Sequence, residues 1–241
     1  MAEINKAASL KGLEIKDDDI LKINDYTLEE VTAEQVFCFK IAICDNQIDR
    51  TYERFSDDAL EKMLELFKGK TIIKDHNRVS DNQVARIYDT YLEEAGGVTS
   101  LIAKCYMIKT SSTESLIEEI KAGIKKEVSV CLSLKSAVCS ICGTDNAEKI
   151  CRHFPGRKYE KKGKEEVCHF VLDSPEDAYE VSFVAVPAQR EAGVRKDYGG
   201  AEVSEDIDDE VAKKKAAEQN ALDAIAVEAE ALILRAEGET K

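Results

Sequence analysis

Val128-Ser-Val-Cys-Leu-Ser-Leu134 alternates along its whole length. Val128, Val130, Leu132 and Leu134 fall on one face, and Ser129, Cys131 and Ser133 on the other. That period of two marks a strand with one face on a core. A second stretch, Tyr179-Glu-Val-Ser-Phe-Val-Ala-Val186, repeats the pattern, with Val181 and Phe183 opposite Glu180 and Ser182, and Pro187 closes it. Outward from these two, Phe37, Phe39, Ile41 and Ile43 alternate in Val36-Phe-Cys-Phe-Lys-Ile-Ala-Ile43, and a turn follows at 45–50. Ser56 caps a helix carrying Leu60, Met63, Leu64 and Phe67 at helical spacing, and Gly69 stops it. A short strand, Thr71-Ile-Ile73, ends in Asp75 and His76. Strands at 84–92 and 99–109 flank the Ala95-Gly-Gly97 turn, and Ser111-x-x-Glu114 fits a capping box for a helix ending near Gly123. Many strands and two or three helices predict a β-rich α+β domain over 36–198. Residues 1–35 form a segment with no readable element, and 199–241 form a separate tail.

The chain has 241 residues, long enough for a substantial core, with 44% hydrophobic and 34% charged residues. Its net charge is −14, and 200–241, with 12 acids and 5 bases, supplies half of it. A broad basic surface for nucleic acid is excluded by that balance. No apolar run approaches the ~18 residues of a membrane span. Met-Ala-Glu-Ile-Asn-Lys at the start offers no apolar signal region, so a cytosolic protein is expected. In the tail an acidic run, 202–210, leads to Leu222, Ile225, Ala229, Leu232 and Ile233 at helical spacing. An amphipathic helix on an acidic linker is expected there, with a solubilising polar tail as the alternative.

Eight cysteines in a cytosolic chain argue against a disulfide framework. Cys38, Cys44, Cys105 and Cys131 sit in strand-like segments and read as small buried hydrophobes. The other four cluster with two of the three histidines in Cys139-x-x-Cys142, Cys151-x-His153 and Cys168-His169. A Cys-x-x-Cys turn aims two thiolates at one ion, and tetrahedral Zn²⁺ needs two more N or S donors. The loop between is rich in Gly, Lys and Arg and poor in apolar residues, so a metal would supply folding energy that packing does not. Cys139, Cys142 and Cys151 are the first three ligands, and His153 and Cys168 compete for the fourth. Four protein ligands leave no open position, so the zinc is read as structural. No His-Glu-x-x-His helix suggests a zinc protease.

His76 is the one imidazole outside that cluster, and an ordinary imidazole titrates near neutrality, at ~6.5. Nucleophilic hydrolysis needs a hydroxyl or thiol, a neutral imidazole and a group to orient it. Ser129 is a candidate nucleophile and Glu180 a candidate orienting acid, because each stands opposite a regular apolar strand face. Serines also commonly occupy outward strand positions with no such role.

Three blocks together resemble the prohead (capsid-maturation) serine proteases of tailed bacteriophages, relatives of the herpesvirus assemblins. The first is Asp45-Asn-Gln-Ile-Asp-Arg-Thr-Tyr-Glu-Arg-Phe55 with Gly69-Lys-Thr-Ile-Ile-Lys-Asp-His76 and Val84-Ala-Arg-Ile87; the second is Lys126-Glu-Val-Ser129-Val; the third is Tyr179-Glu180-Val-Ser-Phe-Val-Ala-Val-Pro-Ala188 with Ala192. The resemblance covers about residues 30–195. The third block is the most specific, and a subgroup of the family carries a similar cysteine-rich insert. The resemblance implies an assemblin-like barrel with flanking helices, His76 as base, Ser129 as nucleophile and Glu180 as third member. It implies phage scaffolding protein and major capsid protein as substrates and partners, self-association and self-cleavage, and a place inside the assembling prohead in the bacterial host cytoplasm. Family members often carry Gly two residues after the nucleophile, where this chain has Cys131, and Gly there lets backbone approach closely. Ser133 and Ser182 are rival hydroxyls. The alternative function is a catalytically inactive, zinc-binding capsid-assembly or scaffold-associated protein.

Overall fold

The computed structural model describes residues 15–195; the expected tail helix lies outside them. The first strand, β1 (Val36–Asp45), has two useful faces. Phe39, Ile41 and Ile43 enter the main core, while Val36 and Cys38 turn to the other side. A bulge between Ala42 and Cys44 then shifts the register, so Cys44 joins the main core next to Ile43. After β2 (Glu53–Phe55), helix α2 (Asp57–Phe67) begins as expected, with the Ala59 N–H donating to Ser56 Oγ at 3.0 Å. Ala59, Leu60, Met63 and Phe67 are buried on its inner face, each large side chain contributing about 2–3 kcal/mol.

Strands β3 (Thr71–Lys74), β4 (Ala85–Ala95) and β5 (Val98–Ile108) follow, with the Gly96-Gly97 turn between the last two, both glycines at positive φ. Helix α3 is Glu114–Lys121, three residues later than the capping-box reading. The Thr113 hydroxyl donates to Ile108 O and Thr110 O, so a threonine turn occupies the place where Ser111 was to cap. Strand β6 (Val128–Cys139) runs past Leu134 to the first cysteine of the insert. A hairpin, β7 (Lys158–Lys161) and β8 (Lys164–Val167), folds inside the insert around Lys162 and Gly163, both at positive φ. Strand β9 (Phe170–Phe183) starts nine residues before the predicted run and ends three before Val186; β10 (Gly193–Val194) is last.

The strands form a mixed sheet in the order β10-β1-β5-β4-β3-β9-β2, with β6 also on β9. β9 is the centre of this arrangement. It pairs parallel with β2 and β3 along one side and antiparallel with β6 along the other. Of the expected assemblin-like barrel, the strand pairing gives the α+β class with a mixed sheet but no barrel closure. Among the described residues continuous pairing stops at β6, and the two ends of the sheet meet where Glu127 bridges Gly193. At that meeting a Cβ on residue 193 would lie 2.8 Å from Lys126 O, so glycine permits the approach. The architecture is therefore α+β with a curled, open sheet.

Helix α1 (Asp17–Asn24) lies in the segment where the sequence showed no element. Ile23 packs with Val36, Cys38, Tyr88 and Tyr106 on the outer face of the sheet. Asp19 is buried beside it, contacted by Lys104 Nζ at 3.2 Å and the Tyr88 hydroxyl at 3.1 Å. Burial pushes its carboxyl up, but the hydrogen bonds and charge of Lys104 and the Lys16 N–H outweigh that and hold it below its ordinary value.

Candidate active site and metal cluster

β3 hands the chain to Asp75 and His76, two successive residues in the left-handed region at φ 55° and 53°. Each costs on the order of 1–2 kcal/mol for a residue with a Cβ. Hydrogen bonds hold the turn in that shape. The Asp75 N–H donates to Phe183 O at 2.9 Å, the His76 N–H to Ser182 Oγ at 3.0 Å, and Asn82 Nδ2 to Lys74 O and Asn77 O. The result lifts the imidazole over β9, where His76 Nδ1 lies 2.8 Å from Glu180 Oε1.

Glu180 is 2% exposed, and its second oxygen accepts the Ser182 hydroxyl at 2.7 Å. A buried carboxylate with both oxygens engaged is held in one orientation. Ser182, a rival nucleophile by sequence, is fully buried and already committed, donating to Glu180 and accepting from the His76 backbone. It joins backbone, acid and imidazole into one frame.

The β6–β9 register places Ser129 directly across from Ser182 and Cys131 directly across from Glu180. Opposite residues in an antiparallel pair share a face, with Cβ atoms about 4.5–5.5 Å apart. Ser129 therefore stands on the face that carries the His76–Glu180 pair. Its hydroxyl makes no hydrogen bond to His76 or to any other described residue. Ser133 is opposite Asp177, beyond a bulge that follows Cys131, and is not part of the group. That bulge leaves Tyr179 as the extra residue on β9. Arg78, two residues after His76, lies over the Tyr179 ring at 4.9 Å and donates to Cys131 Sγ. No spacing in the sequence marks Arg78, because its neighbours come from two other strands.

At the far end of β6 the insert gathers its donors. Sγ of Cys139, Cys142 and Cys151 and one ring nitrogen of His153 all lie within 4.8 Å of one another. Two thiolates on one zinc stand about 3.8 Å apart, given Zn–S bonds of ~2.3 Å in a tetrahedron. These four residues could therefore hold a metal ion with small adjustments. The turn that aims the first two is closed by the Gly143 N–H donating to Cys139 O at 2.9 Å, with Gly143 at φ 73°. The His153 ring packs edge-on against Tyr159, centroids 4.6 Å apart, which sets its plane. Hydrogen bonding with Thr144 draws the Cys142 thiol down to about 6, whereas burial pushes that of Cys139 up. Cys168, the other contender, lies outside this set of four, with its Sγ 3.9 Å from that of Cys139. His169 faces away, its backbone N–H on Ser140 Oγ and Nδ1 3.4 Å from Val167 O. Cys38, Cys44 and Cys105 are buried as small apolar residues, as expected, but Cys131 is half-exposed at the candidate site.

Among the described residues no helix is long and apolar enough to cross a membrane. No protein-family profile, curated protein or solved structure matches this chain.

Proposed function

We propose that the chain is a serine endopeptidase of the prohead-protease kind, with Ser129 as nucleophile, His76 as base and Glu180 as orienting acid. The observation that carries this reading is the 2.8 Å contact between buried Glu180 and His76 Nδ1, on the sheet face that also bears Ser129. With Nδ1–H donated to Glu180, the neutral imidazole keeps Nε2 free to accept a proton. Ser129 Oγ attacks the peptide carbonyl carbon as its proton passes to Nε2. The tetrahedral adduct then collapses, the C–N bond breaks, and the imidazolium gives its proton to the leaving amine. Water, activated by the same nitrogen, releases the acyl group. Glu180 does not take part in the proton transfer; it holds the imidazole in place and stabilises the imidazolium. The free Ser129 hydroxyl is compatible with this sequence, because such contacts are often loose before substrate binds.

The resemblance supplies the substrates: scaffolding protein and capsid-protein segments inside the assembling prohead of the bacterial host, and the chain itself. The insert, on this reading, holds structural Zn²⁺ on Cys139, Cys142, Cys151 and His153. Four N or S donors leave the ion no open position, so it takes no part in the chemistry.

A fluorophosphonate probe with intact-mass and peptide analysis tests the assignment. Labelling is expected at Ser129 and is lost in Ser129→Ala and His76→Ala, both retaining the circular dichroism of the parent. Full processing of scaffold by Ser129→Ala, or a label on another serine, removes the assignment. One observation favours the second reading, a non-enzymatic capsid-assembly protein. Cys131, engaged by Arg78, fills the place where the family often has glycine. Absence of labelling at every serine would select that reading.

A further inference from the structure

The four donors of the cysteine cluster all precede residue 154, yet the insert continues through the β7–β8 hairpin before β9 begins. That second half meets the donors through Tyr159, packed on the His153 ring, and through Cys168, whose Sγ lies 3.9 Å from that of Cys139. Cys139 and Cys168 are 1% and 0% exposed, so both sulfurs must find their partners inside the protein. Cys139 has the greater need. As a zinc ligand it is a thiolate, and three thiolates on one divalent ion leave a net negative charge. A separation of 3.9 Å would also suit two sulfurs sharing an ion. A ligand, however, must stand near every other ligand, and Cys168 is outside the set whose donors all lie within 4.8 Å of one another. An unligated thiol ordinarily carries its proton near neutrality, and here the Cys139 sulfur is within reach to accept it.

The backbone of Cys168 is engaged as closely as its side chain. Its N–H donates to Arg157 O and its O accepts the Gly156 N–H, both at 2.8 Å. Gly156 and Arg157 directly precede β7, and the next rung pairs Lys158 with Val167. Cys168 therefore closes the open end of the hairpin with its main chain while its thiol touches a metal ligand.

We propose that Cys168 is a positioning residue of the metal centre: its S–H donates to the Cys139 thiolate, and through that bond the ion holds the β7–β8 hairpin in place. Groups that hydrogen-bond a ligand from behind fix its orientation and tune its hold on the ion. The inference rests on the zinc reading of the cluster and is independent of the peptidase reading. Two other roles for the thiol predict different results: a fourth thiolate ligand in place of His153, or a side chain that only fills space.

The full chain is loaded with ¹¹³Cd²⁺ and its couplings to cysteine β-protons are recorded. Couplings are expected at Cys139, Cys142 and Cys151 and none at Cys168. A coupling at Cys168 makes it a ligand and overturns the proposal. Zn²⁺ affinity is then measured by chelator competition. Cys168→Ala should bind about 10–100-fold more weakly than the parent, whereas Cys168→Ser, which keeps a donor, should stay within about threefold. Equal affinity of Cys168→Ala and the parent, or equal losses in the two variants, overturns the proposal. In zinc-saturated Cys168→Ala, hydrogen exchange should quicken at 157–167 while 139–143 keep their protection. A hairpin protected as in the parent overturns the coupling to the ion. Should Cys168→Ala fail to fold, Cys168→Val, which fills the space without a donor, takes its place. A parent chain that binds neither Cd²⁺ nor Zn²⁺ removes the zinc reading itself and this inference with it, a result distinct from all the others.

Discussion

The two ends of the β6–β9 pair are built on different principles. At one end Val128, Val181 and Phe183 lie in the main core, and the polar group above them is held by a buried carboxylate with both oxygens bonded. At the other, Ile150 and Phe154 are 83% and 58% exposed, and four cysteines and a histidine stand together instead. The first end has apolar burial to spend on polar preorganisation. The second has almost none, and on the structural-zinc reading a metal would supply its cohesion.

Metal removal should break this comparison most sharply. Protein purified without chelator is expected to carry one zinc by elemental analysis. A strong chelator, or Cys151→Ser, should strip hydrogen-exchange protection from 140–169 while β3, β4 and β5 keep theirs. Structural zinc contributes apparent binding energies of about 10–16 kcal/mol in small domains, which makes this the largest effect. Protection unchanged by the chelator would mean that the insert holds itself by packing. Glu180→Gln sharpens the opposite end. The variant keeps the shape but not the charge that fixes the imidazole tautomer, so fluorophosphonate labelling at Ser129 should slow by on the order of 10⁴-fold, as in other triads. The zinc content should not change, and a labelling rate near that of the parent would remove Glu180 from the mechanism. Gly193→Ala is the mildest probe. Its methyl group would press on Lys126 O, three residues before Ser129, and force the sheet ends apart. A loss of about 1–3 kcal/mol in chemical denaturation is expected, with slower labelling but normal zinc. Parent-like stability would show that the sheet ends meet loosely.

Much of this frame was legible because it rests on local patterns. Phe39 and Ile41 announced β1, Ser56 and Gly69 bounded α2, and the cysteine spacing announced the Cys/His cluster that could hold a metal. What escaped depends on partners distant in sequence. α1 has a short apolar face, and it is fixed by Asp19 reaching Lys104 and Tyr88 on the sheet. The first half of β9 contains Asp173, Ser174, Pro175 and Glu176, a run that reads as a turn. Two bulges against β6 absorb Glu176 and Tyr179 and keep the pairing, so the strand is a product of its neighbour. At the candidate site the histidine and the glutamate could be nominated from sequence. Their contact, the role of Ser182 as a brace, and the presence of Arg78 could not, because each depends on register between strands.

The central position of β9 also has a consequence in time. His76 meets its carboxylate across 104 residues, and β3 gains its second neighbour only when that late strand arrives. A growing chain that has emerged only as far as β6 holds His76 and Ser129, the base and nucleophile of the proposed mechanism, but not Glu180, its orienting acid. It also carries an open edge on β3, which later synthesis must cover. On the peptidase reading, the nascent chain stays inactive until β9 has emerged, and the order of its strands is the delay.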